Sequence, residues 1–465
     1  MKKHLKQLNT FLLIVFIISA LCCCNEQAIE NAISNDNIFE SSLDAFSNDS
    51  CEESVDSSFE ESENIDASES YESSDETSEA PKKLSASFLA CPDNIIHPSV
   101  FYDALERAAR ANGQEPDYSD LHNAEYDFYP IYKNVQDLIQ NADIAYLNQE
   151  TLTGGTGGKI IGYPCFNSPM SVADTVMDLG FDVINVAHNH MLDSRDTEYL
   201  EHCSEYFKTK GAEVIGYYPT SESVKNITVI NKDGIKIAFL AYTYGTNGLR
   251  IPKDSEFIIP YFSEALIKEQ VEIAKECSDF IIVSCHWGYE NTYNANSEQK
   301  QYAKLMNELG VDLVLGMHPH VIQPMEWMIH ENGNKTLVVY SLGNFVSGMV
   351  SGSNMLAGML SLEIIKDTET DDVYIESPKF IPIVTHYVKK SRVASNDTGY
   401  RDFEIFYLSD YTEELAGTHG VVRYEKSHST TLVGGKFSKE TLLATLYKYI
   451  PVEFLPEEYK FNVQE

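Results

Sequence analysis

Four segments of the chain share one order of hydrophobic and polar positions. In each, apolar residues recur at helical spacing, a short break follows, and an apolar run then begins at or near an aspartate. The runs, with the polar residues that end them, are "DIAYLNQE", "DVINVAHNH", "DFIIVSCHW" and "DLVLGMHPH". Short β-rich runs of this kind predict buried strands. The alternation of helix and strand therefore predicts βαβ units with largely parallel pairing.

A second set of runs alternates more regularly and is joined by tight turns. The segment "KNITVINKDGIKIAFLAYT" predicts a hairpin around "NKDG", and "KTLVVYSLGNFV", "GMLSLEIIKD" and "DVYIESPKFIPIV" predict later strands. Such patterns favour antiparallel pairing. Together the two sets predict an α/β fold in which two mixed sheets pack together with helices outside.

Histidines lie at the ends of the predicted strands, where a turn residue would suffice. Imidazole is the commonest metal ligand, and mixed sets with amide and carboxylate oxygens suit Mn, Fe or Zn. Asp93, Glu150 and Asn189 supply such oxygens at the same strand ends. Ligand sites of open α/β sheets form there, so the pattern predicts a metal site. A single strand-end histidine is also typical of a capping or core residue. Six of the thirteen histidines are placed in this way: His97, His188, His190, His286, His318 and His320.

The negative charge of the chain is concentrated near its N-terminus. The formal charge is −37, and residues 25–80 contain 18 acidic side chains with no Lys or Arg. A stretch so acidic and so poor in apolar residues predicts a disordered tether, with an interaction tail as the alternative. The net charge argues against nonspecific binding to nucleic acid.

The N-terminus is typical of an export signal. Lysines precede an apolar stretch from Phe11 to Leu21, which is too short for a stable transmembrane helix. The following "LCCC" resembles a bacterial lipoprotein signal in which Cys24 is lipidated, because Leu21 lies three residues before it. An ordinary secreted protein is the alternative. The six cysteines beyond this cluster lack metal-site spacing and predict mostly buried thiols rather than a disulfide framework.

An ordered set of motifs carries a family resemblance over residues 85–385. The motifs "SFLACPDNIIH", "ADIAYLNQET", "GYPCFNSP", "HNHMLD", "HWGYE", "GMHPHVIQPMEW" and "VYSLGNF" resemble those of the bacterial capsule-synthesis protein CapA family. That family belongs to the calcineurin-like metallophosphatase superfamily. The resemblance implies an α/β/β/α sandwich with a dinuclear metal centre.

The resemblance also implies roles for individual residues. Asp93, with His97 and His320, would bind a first metal, and Glu150 would bridge the two ions. Asn189, His286 and His318 would bind the second metal, and His190 would contact the transferred group or act as general acid. Pro92 precedes Asp93 where the family usually has Gly, and His188 stands where Asn is usual. The residues expected either to orient these ligands or to cap strands and turns are His188, Asp193, Glu290 and Asn344.

Four regions follow along the chain: a signal peptide at 1–24, an acidic linker at 25–83, a CapA-like metallophosphatase domain at 84–390, and a C-terminal extension packed on the core at 391–465. The "GGTGGK" at 154–159 lacks the spacing of an ATP-binding P-loop, so an unaided ATP-driven ligase is not expected.

Three functions remain open from the sequence. The first is a surface-anchored factor that makes, exports or attaches an anionic capsule polymer of the poly-γ-glutamate type, with capsule-assembly membrane proteins as partners. The second is a metal-dependent phosphohydrolase that acts on a phosphorylated small or cell-envelope substrate. The third is a non-catalytic binding module.

Overall fold

Two mixed β-sheets face each other in the computed structural model, which describes residues 82–154, 158–421 and 432–460. The predicted signal peptide and nearly all of the predicted acidic linker lie outside these residues, so both remain predictions. None of the described helices is long and apolar enough to cross a membrane.

The first sheet has parallel and antiparallel halves on either side of its strand β1. Parallel pairing joins β1 to β2, β2 to β3 and β3 to β4, and antiparallel pairing joins β1 to β12, β12 to β13 and β13 to β14. The short β11 also pairs parallel with the end of β1. The strands are β1 (Lys83–Asn94), β2 (Ile144–Asn148), β3 (Val183–Asn185), β4 (Glu213–Ile215), β11 (Asn344–Val346), β12 (Leu356–Asp367), β13 (Val373–Lys389) and β14 (Tyr400–Tyr407).

The second sheet has a parallel centre with an antiparallel strand at each edge. Its order is β5-β6-β7-β8-β10-β9, in which β6, β7, β8 and β10 run parallel. The predicted hairpin around "NKDG" forms β5 and β6. The strands are β5 (Thr228–Lys232), β6 (Ile235–Thr243), β7 (Phe280–His286), β8 (Leu313–Met317), β9 (Met325–Ile329) and β10 (Lys335–Val339).

Helices cover the outer faces of the two sheets. A helix precedes each of the four strands that lead to a histidine or glutamate, as predicted. Helices α6 and α7 begin at side-chain caps, where Ser263 and Asn296 each accept a backbone N–H of the first turn. The helices are α1 (Pro98–Ala111), α2 (Tyr129–Tyr132), α3 (Gln136–Gln140), α4 (Ser171–Asp178), α5 (Glu198–Thr209), α6 (Glu264–Cys277), α7 (Ser297–Leu309), α8 (Glu413–Thr418), α9 (Lys439–Tyr449) and α10 (Glu457–Lys460).

Alternation along the strands of the second sheet assigns its two faces. Phe239 of β6 points into the core between the sheets, whereas its neighbour Leu240 packs against helices α6 and α7. Phe88 of β1 meets Phe239 with ring centroids 6.2 Å apart, and the hydroxyls of Tyr146 and Ser284 lie 2.6 Å apart across the sheets. The predicted α/β fold of two mixed sheets flanked by helices is therefore confirmed.

Two segments differ from the simple sequence pattern. The run "KTLVVYSLGNFV" forms two strands in different sheets, β10 in the second and β11 in the first, because the chain turns at Gly343 with a positive φ of 84°. The segment after residue 390 contributes β14 to the edge of the first sheet as well as helices. The five cysteines within the described residues are free, as predicted, and Cys91, Cys203 and Cys285 are buried.

Candidate metal centre

The carboxyl ends of strands from both sheets meet at one buried site. The first sheet brings Asp93 at the end of β1 and Glu150 just after β2, and the second brings His286 at the end of β7 with His318 and His320 just after β8. The Oε1 atom of Glu150 lies 3.7 Å from Nε2 of His286 and 3.6 Å from Nε2 of His320. Side chains that are far apart in sequence therefore converge, as the shared strand ends predict.

Asp93 is held by both sheets. Its Oδ1 accepts a hydrogen bond from Nδ2 of Asn148, and its Oδ2 accepts one from the backbone N–H of His318 at 3.1 Å. Nδ1 of His320 lies 3.1 Å from the same Oδ2. The register of β1 shifts between Cys91 and Asp93, so the bulge at Pro92 sets the position of this carboxylate. A carboxylate offers about four lone-pair positions, which leaves one for a metal.

Glu150 differs from Asp93 in its lack of hydrogen bonds. It is fully buried, yet neither of its carboxylate oxygens has a hydrogen-bond partner within the described structure. Burial raises the pKa of Glu150 well above its usual value, and only the nearby His320 opposes this shift strongly. A buried carboxyl group without hydrogen bonds is costly, and coordination to a cation removes that cost.

The histidines after β8 sit in a strained turn. His318 and His320 have positive φ values of 91° and 56°. Such backbone costs about 1–3 kcal/mol at a non-glycine residue and is kept where the surroundings enforce it. Here the hydrogen bond from His318 to Asp93 and the contacts of His320 enforce it.

His320 is oriented by two oxygen acceptors. Its Nδ1 faces Asp93 and, at 3.0 Å, the Oδ1 atom of Asn344. The Nδ2 atom of Asn344 donates to the carbonyls of His320 and Asn354, which fixes its Oδ1 as the acceptor. Nδ1 therefore carries hydrogen, and Nε2 remains for a metal. Burial alone would lower the pKa of His320, but the carboxylates of Glu150 and Asp93 outweigh it and raise this pKa to about 10, so a metal ion would replace a proton on Nε2.

Asn189 and His286 form the opposite side of the site. The Oδ1 atom of Asn189 lies 3.0 Å from Nε2 of His286, and its Nδ2 donates to Asn247. Burial, followed by the charge of His318, lowers the pKa of His286 well below its usual value. This histidine is therefore neutral, the form that binds metals.

His190 and Asp193 form a pair at the more open edge of the site. Nδ1 of His190 lies 2.9 Å from Oδ2 of Asp193, which also accepts the backbone N–H of Phe166 at 2.6 Å. The Phe166 ring meets His190 edge-on, with centroids 4.7 Å apart. The imidazole is thus fixed in direction while its side chain stays 11% exposed, a geometry that suits proton transfer to a bound substrate.

Three further predicted residues have the following surroundings. His97 belongs to neither group of potential metal ligands among the described residues; its Nδ1 accepts the N–H of Gly348, and burial lowers its pKa to about 3. His188 is buried, accepts the backbone N–H of His190 and has no hydrogen-bond partner at Nε2 within the described part of the chain. Glu290 is exposed at the rim of the site.

Some contacts of the site are not evident from the sequence motifs. Asn148 bonds Asp93 and lies only two residues before Glu150, so its strand-end position was the available signal. Tyr244 follows β6, and its ring lies 4.5 Å from that of His318 between centroids. Asn354 comes from a separate loop and bonds the carbonyl of His320.

The donor set fits divalent metal ions. Glu150, His318 and His320 each place a ligand atom within 4.8 Å of the others, and Asp93, Glu150 and His286 do the same. Glu150 is common to both groups, and the Nδ1 atoms of His286 and His318 are buried without hydrogen-bond partners among the described residues. Mixed nitrogen and oxygen donors of this kind are preferred by Mn, Fe and Zn.

Comparison with known proteins places the chain in a family. The model of the family described as "Bacterial capsule synthesis protein PGA_cap" matches residues 89–349, a range that contains every site residue predicted from the sequence. The chain is 33% identical to the "PGA biosynthesis protein CapA" of Bacillus subtilis (strain 168) over 36% of this chain and 43% of that protein. It is 32% identical to the "Capsule biosynthesis protein CapA" of Bacillus anthracis over 37% of this chain and 41% of that protein. The alignments thus span less than half the length of these curated relatives.

Solved structures show more distant similarity. A novel phosphatase from Mycoplasma pneumoniae is 16% identical, with a TM-score of 0.36, over 65% of this chain and 94% of that chain. A 5'-nucleotidase precursor from Thermus thermophilus is 14% identical, with a TM-score of 0.38, over 65% of this chain and 54% of that chain. These scores are low, and the fold described above stands on the structure of this chain alone. Because the family model matches more than half of the chain, the protein belongs to the bacterial capsule synthesis PGA_cap family.

Proposed function

We propose that this protein is a surface-anchored factor of the CapA type that helps to synthesise, export or attach an anionic capsule polymer, and that it uses two divalent metal ions for hydrolysis or transfer. The family and the names of the two Bacillus relatives support a capsule polymer, and poly-γ-glutamate is the type that they imply. The observation that carries the metal chemistry is the buried Glu150 carboxylate, which lacks hydrogen bonds to the described residues and lies between the imidazoles of His286 and His320.

The family resemblance divides the residues into two sets around Glu150, in which Asp93 and His320 would hold the first ion and Asn189, His286 and His318 the second. The ligand atoms that lie within 4.8 Å of one another are grouped differently, because His318 goes with His320 and Asp93 goes with His286, each together with Glu150. Metal ions bound there would polarise an anionic group and lower the pKa of a coordinated water. His190 would donate a proton to the leaving oxygen or nitrogen, and Asp193 would keep its ring in the required direction.

The cellular setting of this proposal rests on the N-terminal sequence. Lipidation at Cys24 would place the domain on the outer side of the membrane, with the acidic segment as spacer and with membrane proteins of capsule assembly as partners. The net charge of −37 disfavours close contact with a long polyanion except where metal ions or local cations offset the field. Action at a chain end or at an acceptor therefore fits better than polymerisation along the chain.

Metal analysis of the purified protein tests the proposal directly. We expect two divalent ions per chain and hydrolysis or transfer of γ-glutamyl chains. His286→Ala and His318→Ala should each lower metal content and reduce turnover at least about a hundredfold, because each removes a ligand. The matched control is His122→Ala, which removes an exposed histidine from a surface loop. Element analysis, circular dichroism and rate measurements provide the readouts.

The outcomes separate the three functions. Full metal content in both ligand variants would contradict the ligand assignment. Turnover of small phosphoesters without any action on γ-glutamyl chains would favour a phosphohydrolase. Bound metal without turnover on either substrate would favour a binding module.

A further inference from the structure

A cleft of about 720 Å³ opens beside the metal centre. Its walls come from the N-terminus of α1, from a turn at residues 161–167, from the loop after β7 and from two loops further along the chain. No described residue that lines it belongs to a β-strand. The cleft is thus built from connecting segments, the parts of an α/β fold that carry ligand contacts.

Asn354 joins the cleft to the metal centre. Its Nδ2 atom donates to the carbonyl of His320 at 2.9 Å and to Oδ1 of Asn291 at 2.8 Å, and both asparagines line the cleft. Glu290, next to Asn291, lies near enough to influence the pKa of Glu150 and of His320. A molecule in the cleft therefore lies next to the proposed reaction site.

The 161–167 turn presents an aromatic ring to the cleft. Gly162 packs so closely on Pro98 that an added Cβ would lie 2.3 Å from a proline carbon, so only glycine permits this approach. The neighbouring Tyr163 lines the cleft and is 72% exposed. At the other end of the turn, Phe166 packs between the rings of His97 and His190. One short segment therefore contacts both the proposed proton donor and the cleft.

The lining of the cleft is apolar over most of its surface and carries little charge. None of the described residues that line it is Lys or Arg, and Glu290 is its one carboxylate. Most of its hydrogen-bonding groups are amides and hydroxyls, which include those of Ser99, Asn291, Ser351, Ser353, Asn354 and Asn396. A polyanion would find no cation among these described residues, and Glu290 would repel it.

We infer that the cleft binds an uncharged glycan segment, which belongs either to the substrate or to an envelope acceptor of the polymer. The inference rests on the proposed function, because it names what lies beside the reacting group. Sugar hydroxyls pair with amide, hydroxyl and carboxylate groups, and the apolar face of a sugar ring packs on an exposed aromatic ring such as Tyr163. Binding of an extended peptide by β-strand addition would instead need a free strand edge, and none of the described strands lines the cleft.

Binding to defined oligosaccharides tests the inference on the full-length, metal-loaded protein. We expect saturable binding of chitotetraose, a neutral amide-bearing glycan, and no binding of tetra-γ-glutamate at this cleft. Tyr163→Ala should weaken chitotetraose binding by about tenfold through loss of ring contact. The control Tyr289→Ala removes a tyrosine that is 66% exposed and lies outside the cleft lining, and it should leave binding unchanged. Calorimetry and metal analysis are performed on the same samples.

The results distinguish this inference from the proposed function. Absence of chitotetraose binding in a protein with two bound metals would overturn the glycan assignment alone. The glycan assignment would also be overturned if Tyr163→Ala and Tyr289→Ala lost equal chitotetraose affinity. Binding of tetra-γ-glutamate that depends on Tyr163 would overturn it too. If the purified protein holds no metal but still binds chitotetraose through Tyr163, the result would support the cleft assignment and contradict the metal proposal.

Discussion

Two buried groups of histidines in this protein have opposite surroundings. The first, His286, His318 and His320, lies at strand ends beside Glu150. The second, His386 of β13 and His419 just after α8, lies in the C-terminal part, with ring centroids 5.0 Å apart. Both groups are almost completely buried, so burial alone does not indicate which of them serves chemistry.

Hydrogen-bond partners separate the two groups. In the second group, Nδ1 of His419 accepts the backbone N–H of Val421, so its Nε2 carries hydrogen and donates to the carbonyl of Thr385. Nδ1 of His386 lies 2.8 Å from the hydroxyl of Tyr411. In the first group, the Nδ1 atoms of His286 and His318 have no partner among the described residues. Satisfied imidazoles support packing, whereas unsatisfied imidazoles beside a bare carboxylate form a site for a cation.

The largest expected difference between the groups is in metal binding. His320→Gln removes a proposed ligand while keeping a polar side chain near Asp93, so we expect loss of one metal ion and at least about a hundredfold lower turnover. His419→Gln should keep both ions. Metal content measured after dialysis checks this, and equal metal loss in the two variants would remove the distinction.

A smaller effect is expected on the free energy of unfolding. Here a substitution in the second group should be more destabilising than one in the first group. His419→Ala leaves the Thr385 carbonyl and the Val421 N–H without these partners and creates a cavity, which together cost about 2–5 kcal/mol. His318→Ala in the metal-free protein should cost less, because the Nδ1 atom of His318 has no hydrogen bond to the described residues that the change could break. Denaturant titrations of both variants after metal removal provide the comparison, and an equal or larger loss in His318→Ala would contradict it.

The smallest effect is on the pH dependence of the unfolding free energy. Burial lowers the pKa of His386 to about 4 and that of His419 to about 3, from an ordinary value of 6.5. Below about pH 6.5 the unfolded chain therefore binds more protons than the folded protein, and stability falls as the pH drops towards 4. His386→Gln should remove about 2 kcal/mol of this loss between pH 7 and pH 5. An unchanged pH slope of the unfolding free energy in this variant would show that His386 does not titrate as proposed.

The sequence predicts the convergence at the metal centre because strand ends share an edge. Glu150, His286 and His320 could be placed together from the helix-strand pattern, since each follows a predicted strand. Asn354 and Asn396 could not, because they lie in loops whose path depends on packing between distant segments. The local sequence pattern also could not predict that "KTLVVYSLGNFV" divides between two sheets, because both halves are apolar and β-rich.

The passage of the chain from β10 to β11 has a mechanical consequence. Residues 340–343 carry it from the second sheet to the first, close to where Asn344 contacts His320. Together with the contact between Tyr146 and Ser284, this crossing fixes the gap between the layers that supply the carboxylates and the imidazoles. A substitution to a larger or smaller residue between the two sheets would therefore alter the spacing of the ligands without contacting any of them.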